Sequence, residues 1–437
     1  ITAIVFIIIV LGTNYSHHLT VKNLETVNVL FFFVAVLIWT TIQWHTTQKL
    51  IYLLMIGASV TFMSLVKPSE VLIVFLPLFY GVYNKETFLN KWKLLLQHKV
   101  QFLWMFSLCL VIALPQMSYW YVRTGSLFYH SYTNPGVGLD ITSPYIFESL
   151  FSFKKGWFVY TPVMIFSVIG FFFFLKQKKE IALSFFLYFL FTSYIIFSWT
   201  EWWYGAAFSN RPLITVYPIL AISLGYFIQF VGKKNQVLKS VFSIAVLSCV
   251  FLNQFQWWQL RSGILEPYRM TKDYYWATFL KKTVAEDDRK LLSVFRNFDG
   301  SHHFVNRNDY RIVSEFELEG FPTKLTREME FSPSFEKPFG DITSQDHIWV
   351  EIEVNYRPTP QTDSSSLPLL VIHMNRKEGA YGYYSSQLTY ENNSKSITTF
   401  MTPNIRSAKD GLKTYLWNKD KNELDIRLVK IKIFEKK

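Results

Sequence analysis

IALSFFLYFLFTSYIIFSWTEWWYGAAFSNRPLITVYPILAISLGYFIQFV, residues 181–231, decides the fold. An apolar run at 181–199 and another at 214–231 are joined by a short segment holding Glu201, Trp202, Trp203, Tyr204 and Arg211. Each run has close to the roughly 20 residues that an α-helix needs to cross a hydrocarbon layer. Strands of that length and apolarity would be unusual, and the backbone polar groups of a chain in lipid are best satisfied inside a helix. The stretch predicts two membrane-spanning helices with a polar, aromatic turn between them.

Working outward, further apolar runs lie at 1–13, 26–44, 50–66, 71–84, 102–120, 157–175 and 237–254, the one at 71–84 being short. The 437 residues are 50% hydrophobic and 19% aromatic, more aromatic than soluble domains carry. The apolar character stops near residue 255. The expected organisation is a transmembrane helical domain over 1–255 with eight to nine spans, an amphipathic aromatic connector lying along the membrane surface over 256–282, and a polar globular domain over 283–437. Because Ile1 already stands inside an apolar run with no initiator Met before it, the chain reads as the C-terminal portion of a longer membrane protein.

The net charge of +12 raises the question of nucleic acid, but its placement argues against it. Lys85, Lys91, Lys93 and Lys99 share one loop, Lys176, Lys178 and Lys179 a second, and Lys233, Lys234 and Lys239 a third. These three fall on the same side when the runs are threaded through a bilayer, as cytoplasmic loops do. That choice places 14–25, 67–70, 121–156, 200–213 and everything after about 255 outside the cytoplasm. No zinc-ligand spacing, Gly-rich phosphate loop or basic helix appears, which leaves nucleic-acid binding without a carrier.

After residue 311 the hydrophobic period changes to two. RIVSEFELE, IWVEIEVNY, LPLLVIHM, YGYYSSQLTY, SITTFMT, LKTYLWN and LDIRLVKIKIFE are strand-length runs separated by turn residues, and they predict an all-β antiparallel sandwich of jelly-roll type. Cys109 and Cys249 both lie in apolar runs, so this domain has no disulfide and must bury its own core. Alternation puts Tyr381 and Tyr383 on one face and Tyr384 on the other, and Trp417 is expected in the core; packing outweighs sugar binding for the set.

Several segments together resemble the bacterial GT-C superfamily, polytopic glycosyltransferases related to protein O-mannosyltransferases and to aminoarabinose transferases. They are GTN (12–14), VKPSEVLIVFLP (66–77), LPQMSYWYVRTGSLFYHSY (114–132), FSFKKGWFVYTP (151–162), WTEWWYGAAFSNRPLITVYPIL (199–220) and SGILEPYRMTKDYYW (262–276). Their order and their side of the membrane agree as well as their residues. The resemblance implies a multi-pass protein of the bacterial cytoplasmic membrane with its C-terminal domain extracytoplasmic. It also implies an inverting transfer of a sugar from a polyprenyl-phosphate donor to an envelope glycan, lipid or protein. The family's acidic motif lies in the first outer loop, near the first span. No acidic residue in 1–282 matches it, so the resemblance puts the catalytic base upstream of this chain and leaves the catalytic residue unassigned. Relatives usually have a Gly where Ser209–Asn210 precede Arg211.

A lipid-linked sugar departs as a phosphate anion beside the membrane, which calls for cations on the outer side. Arg211, Lys67, Lys154 and Lys155 all fall there, the first two next to Pro at the start of a span, while Trp202, Trp203 and Tyr204 offer faces for a sugar or a prenyl chain. The competing expectations are cations snorkelling to lipid headgroups and a belt of interfacial aromatics. His17 and His18 are expected at the surface and form no metal set; no cofactor beyond the donor itself is implied. Two other functions remain: a polysaccharide or lipid-linked sugar transporter, for which no internal repeat is visible, and a non-catalytic anchor displaying a carbohydrate-binding sandwich.

Overall fold

A computed structural model describes residues 1–129, 138–293, 308, 310–321, 323–345, 348–360, 362–363, 365–376, 379–389, 395–402 and 408–437. It divides into a helical unit, running to Ser293 among the described residues, and a β unit after it.

The helical unit contains α1 (Thr2–Leu11), α2 (Tyr15–Thr20), α3 (Thr26–Thr47) and α4 (Leu50–Val66). A 3₁₀ stretch, Pro68–Val74, runs into α5 (Phe75–Phe79), followed by α6 (Lys85–Gln97), α7 (Lys99–Thr124), α8 (Ile146–Phe151), α9 (Trp157–Tyr160), α10 (Met164–Gln177) and α11 (Lys179–Phe197). A second 3₁₀ stretch, Arg211–Val216, leads into α12 (Tyr217–Gly232), then α13 (Gln236–Arg261), α14 (Lys272–Thr278) and α15 (Glu286–Arg289). Five helices among the described residues are long and apolar enough to cross a membrane: 26–47, 99–124, 179–197, 211–232 and 236–261. The runs at 1–13, 50–66, 71–84 and 157–175 give shorter apolar helices. The run at 71–84 begins inside the 3₁₀ stretch that Pro68 opens and stays helical only to Phe79.

Local chemistry sets the ends. Asn84 and Thr87 form a reciprocal capping box that starts α6, and Gly125, at φ 74°, ends α7 in the left-handed conformation. Gly170 lets α10 and α12 touch: a Cβ there would stand 2.2 Å from the carbonyl oxygen of Ser223. Outward surfaces stay apolar, with Leu103, Phe106, Leu110, Ile244, Leu247 and Phe251 all exposed. Lipid solvates such a surface and water does not.

The β unit has nine strands among the described residues. Strands β1 (Tyr310–Glu317), β9 (Leu424–Lys436), β4 (Trp349–Pro358) and β7 (Lys395–Met401) pair in that order, with β2 (Thr323–Leu325) also on β9. The second sheet runs β3 (Phe335–Pro338), β8 (Gly411–Trp417), β5 (Leu369–Arg376), β6 (Gly379–Gln387). Every pairing is antiparallel. Val350, Ile352 and Ile431 of the first sheet and Leu370, Ile372, Leu412 and Leu416 of the second belong to one buried cluster, so the inner faces share a core. Tyr384 packs against that core and Tyr383 is exposed, as alternation predicts; the Tyr381 side chain lies outside the described residues.

Trp417 corrects an expectation. It is only half-buried, on the outward side of β8 with Lys413 and Tyr415, and stacks on Phe331 with ring centroids 6.3 Å apart. The inward positions of that strand are Leu412, Thr414 and Leu416, all buried. A large aromatic finds burial against a neighbouring ring as well as in a core, so size does not override the period of two.

Candidate functional site

Four segments that are far apart in sequence meet at one end of the helical unit. The first is the end of α1. Thr13 Oγ1 donates to the Ile9 carbonyl at 2.6 Å and accepts from the Tyr15 amide at 3.1 Å, turning the chain out of the helix. This buries Asn14, whose Nδ2 donates to the Phe208 carbonyl at 3.0 Å and whose Oδ1 accepts from the Tyr217 hydroxyl at 2.6 Å. Tyr217 in turn accepts from Trp157 Nε1 at 3.0 Å. Three of the segments that carry the family resemblance, GTN, FSFKKGWFVYTP and the stretch around Arg211, are thereby tied into one buried hydrogen-bond chain.

Arg211 stands at the start of its 3₁₀ stretch, with Pro212 behind it. The chain reaches it through Ser209, at φ 57° in the left-handed region that favours glycine. Ser209 thus holds a conformation that Gly would adopt more easily. Arg211 NH1 donates to Glu25 Oε1 at 2.8 Å, and Oε2 of that carboxylate lies 2.6 Å from Nδ1 of His18. Lys22 adds a weaker contact at 3.9 Å. Burial pushes the Glu25 carboxyl up, but the His18 hydrogen bond and the charges of His18, Arg211 and Lys22 outweigh it and hold the group below the ordinary carboxylate range.

Lys67 caps the end of α4, with Nζ 3.8 Å from Glu70 Oε1 and 5.9 Å from the ring centre of Tyr204. Burial lowers its pKa, Glu70 opposes that shift and Arg211 adds to it. Burial raises Glu70, which is 2% exposed and has Oε2 without a hydrogen-bond partner. Lys154 Nζ lies over Trp203 at 4.1 Å and Trp202 at 5.9 Å, a cation–π arrangement that uses up part of the belt. Lys155 behaves differently from its neighbour. It is buried, donates from Nζ to the Ala207 carbonyl, and is lowered to about 7 by that burial, with Lys154 and Arg211 contributing. It braces the loop that carries Arg211.

The structure therefore brings Arg211, Lys67, Lys155 and Tyr204 together, with Trp202 and Trp203 on the turn before Tyr204 and Lys154 lying over their rings from the connection between α8 and α9. His17 and His18 are not at the surface: they are 5% and 0% exposed. Their segment folds back as α2 under the Glu25 carboxylate, which burial rewards with a hydrogen bond to His18. His17 is lowered to about 4, first by burial and then by His18. Among the described residues no group of three His, Cys, Asp or Glu side chains is arranged to hold a metal ion. Ser209 Oγ, both polar atoms of the Asn210 side chain, His17 Nδ1 and His18 Nε2 are buried without a hydrogen-bond partner. Each such group costs about 1–3 kcal/mol when left unmade, so a cluster of them marks a place where a polar ligand or water repays the loss.

Glu25 and Glu70 are the participants that sequence reasoning missed, whereas Asn14 stands in the GTN segment quoted there and His18 is the residue expected at the surface. A faint signal existed for the acids: Glu25 immediately precedes a span and Glu70 follows Lys67 by three residues, both on the side predicted for Arg211. Compared with protein-family models, with curated proteins and with solved structures, the chain matches none.

Proposed function

We propose that this chain carries the donor-phosphate half of a membrane glycosyltransferase that uses a polyprenyl-phosphate sugar and passes the sugar to an envelope glycan, lipid or protein outside the cytoplasm. The single observation behind this reading is the convergence of Arg211 and Lys67 at one end of an apolar helical unit. Arg211 and Lys67 keep 33% and 31% of their side-chain surface accessible, so an anion in the lipid interface can reach both. A guanidinium fork suits phosphate oxygens and an ammonium adds a point charge, which together meet the charge that develops on a departing phosphate. Trp202, Trp203 and Tyr204 beside them supply faces for the sugar or the first prenyl units. The order of landmarks supports a GT-C-like helical module, in a bacterial cytoplasmic membrane with the β unit extracytoplasmic. Strand order β1-β9-β4-β7 and β3-β8-β5-β6 supports a jelly-roll.

A specific observation favours a second reading for the β unit alone. Phe331 at 50% and Tyr383 at 47% exposure share the outward face of the four-stranded sheet with Tyr415 and Trp417, an aromatic surface of the kind that sugars stack on. It fits a carbohydrate-binding module attached to either an enzyme or an anchor.

The deciding experiment measures sugar transfer from a polyprenyl-phosphate sugar in membranes that hold the full-length protein. Arg211→Ala should lower transfer more than tenfold, since one preorganised charge partner contributes about 2.7–4 kcal/mol in the transition state. Arg211→Lys should restore only part of it. Near-normal transfer by Arg211→Ala at matched protein level would return Arg211 to lipid-headgroup contact and end this reading.

A further inference from the structure

Helix α6 has three faces, and one of them is used inside the protein. Leu94 and Leu95 pack against Trp44, Leu53 and Ile56, and Lys91 beside them is buried. Lys91 Nζ donates to the Pro77 carbonyl at 2.9 Å and to the Tyr80 carbonyl at 3.2 Å, and it also contacts Nε2 of His45. His45 Nδ1 lies 2.7 Å from the Thr41 carbonyl, which only accepts, so Nδ1 carries the proton and Nε2 offers a lone pair. The three N–H bonds of the ammonium thus meet three acceptors, two of them carbonyls at the end of α5. Lys91 docks α6 and keeps no donor for a lipid.

The second face carries Glu86, Asn90, Lys93 and Gln97, all polar and exposed. The third carries Phe88, Leu89, Trp92 and Leu96, which share a side by helical spacing and remain 48% to 59% exposed. Four large apolar side chains in one patch call for a cover other than water. We propose that α6 lies along the membrane surface, with this third face in the acyl boundary of one leaflet and Lys85, Lys93 and Lys99 on the phosphates of anionic headgroups.

Two observations favour lipid over a protein partner. The patch runs on into the wall that lipid already solvates: α7 follows after His98 alone, buries none of its residues, and exposes Val100, Leu103, Phe106 and Leu110. The charge also fits an anionic leaflet. Between residues 85 and 99 the only acid is Glu86, and three lysines stay exposed once Lys91 is buried. Lysines beside an apolar stripe that holds a Trp are what an interfacial helix presents to headgroups.

The test uses the full-length protein, with Cys109→Ala and Cys249→Ala, in nanodiscs of phosphatidylcholine and phosphatidylglycerol. A nitroxide is attached at one new cysteine at a time. At Trp92→Cys and Leu96→Cys it should collide with oxygen about fivefold more often than with a water-soluble nickel chelate, and at Asn90→Cys and Gln97→Cys the order should reverse. Equal access of the chelate to all four positions would put the patch in water and overturn the lipid contact. Low collision with both reagents at 92 and 96 would overturn it as well, because a protein would then cover the patch. For the headgroups, spin-labelled phosphatidylglycerol should associate with the wild type about twofold more strongly than phosphatidylcholine does. That preference should fall when Lys85→Gln, Lys93→Gln and Lys99→Gln are combined, and an unchanged preference overturns the phosphate contacts. Every position substituted between 85 and 99 is exposed, so the packing of α6 is kept. None of them belongs to the Arg211 site, so a failure of sugar transfer would leave this inference standing.

Discussion

The two units of this chain treat buried polarity in opposite ways. In the β unit, charges pair between neighbouring strands on the outward faces, diagonally in Lys395–Glu353 at 2.8 Å and directly opposite in Lys413–Glu336 at 3.2 Å, and the inner faces are largely apolar. In the helical unit the outward faces are apolar, and polar groups are drawn inward and to the ends. Glu70, Lys155, His17, His18, Asn14 and Asn210 are all buried there, and several keep atoms without partners. The first pattern is what water asks of a sandwich. The second leaves hydrogen-bonding capacity unmet, at Ser209, Asn210, His17 and His18 among others, and a protein retains that cost where a ligand offsets it.

The contrast can be broken or sharpened at four points. The largest effect is expected in the sandwich core: Ile352, fully buried on β4, should cost about 2–5 kcal/mol when truncated to Ala. Limited proteolysis of the full-length protein should then show cleavage confined to residues after 293, and an equally labile helical unit would argue that the two are not separately packed. Next, Gly170→Val forces a side chain against the Ser223 backbone and should cost about 1–3 kcal/mol through overpacking, read as a lower melting temperature in detergent. An unchanged melt would mean that α10 and α12 are not in close contact.

Smaller is the pH effect at Lys155. Burial holds it at about 7, while in the unfolded chain it titrates at the ordinary 10.5. Between those values the unfolded chain binds a proton that the folded one does not, so this group makes stability rise with pH across that window. The melting temperature of the wild type should therefore rise relative to that of Lys155→Met from pH 7 to pH 9; an unchanged gap would show that the amine is not desolvated. Last, Lys395→Ala removes an exposed partner of Glu353 and should change stability by less than about 1 kcal/mol. A larger loss in denaturant titration would give the surface pairs of the sandwich a weight that only buried groups are expected to have.

Much of the architecture was legible residue by residue, because it rests on local pattern. Apolar runs such as 181–199 and 237–254 become helices in any surroundings that exclude water, and period-two runs such as 349–358 become strands wherever one side is covered. Trp417 was legible too, had Lys413 been used to fix which positions of its strand face outward. The shortest strands were not: Thr323–Leu325 and Phe335–Pro338 carry little alternation, and they are strands because β9 and β8, encoded far downstream, present free backbone groups to them. The site divides the same way. Arg211, Lys67 and the Trp202–Tyr204 turn announced themselves by residue type and by their place at the ends of apolar runs. The partners that set their chemistry did not, since a carboxylate at the start of α3 and a histidine pair in α2 look like ordinary interfacial residues. They become an ion pair and a buried hydrogen bond when packing brings residue 25 against residue 211 and strips water from both. Desolvation and proximity belong to the folded chain, and no local stretch of sequence encodes them.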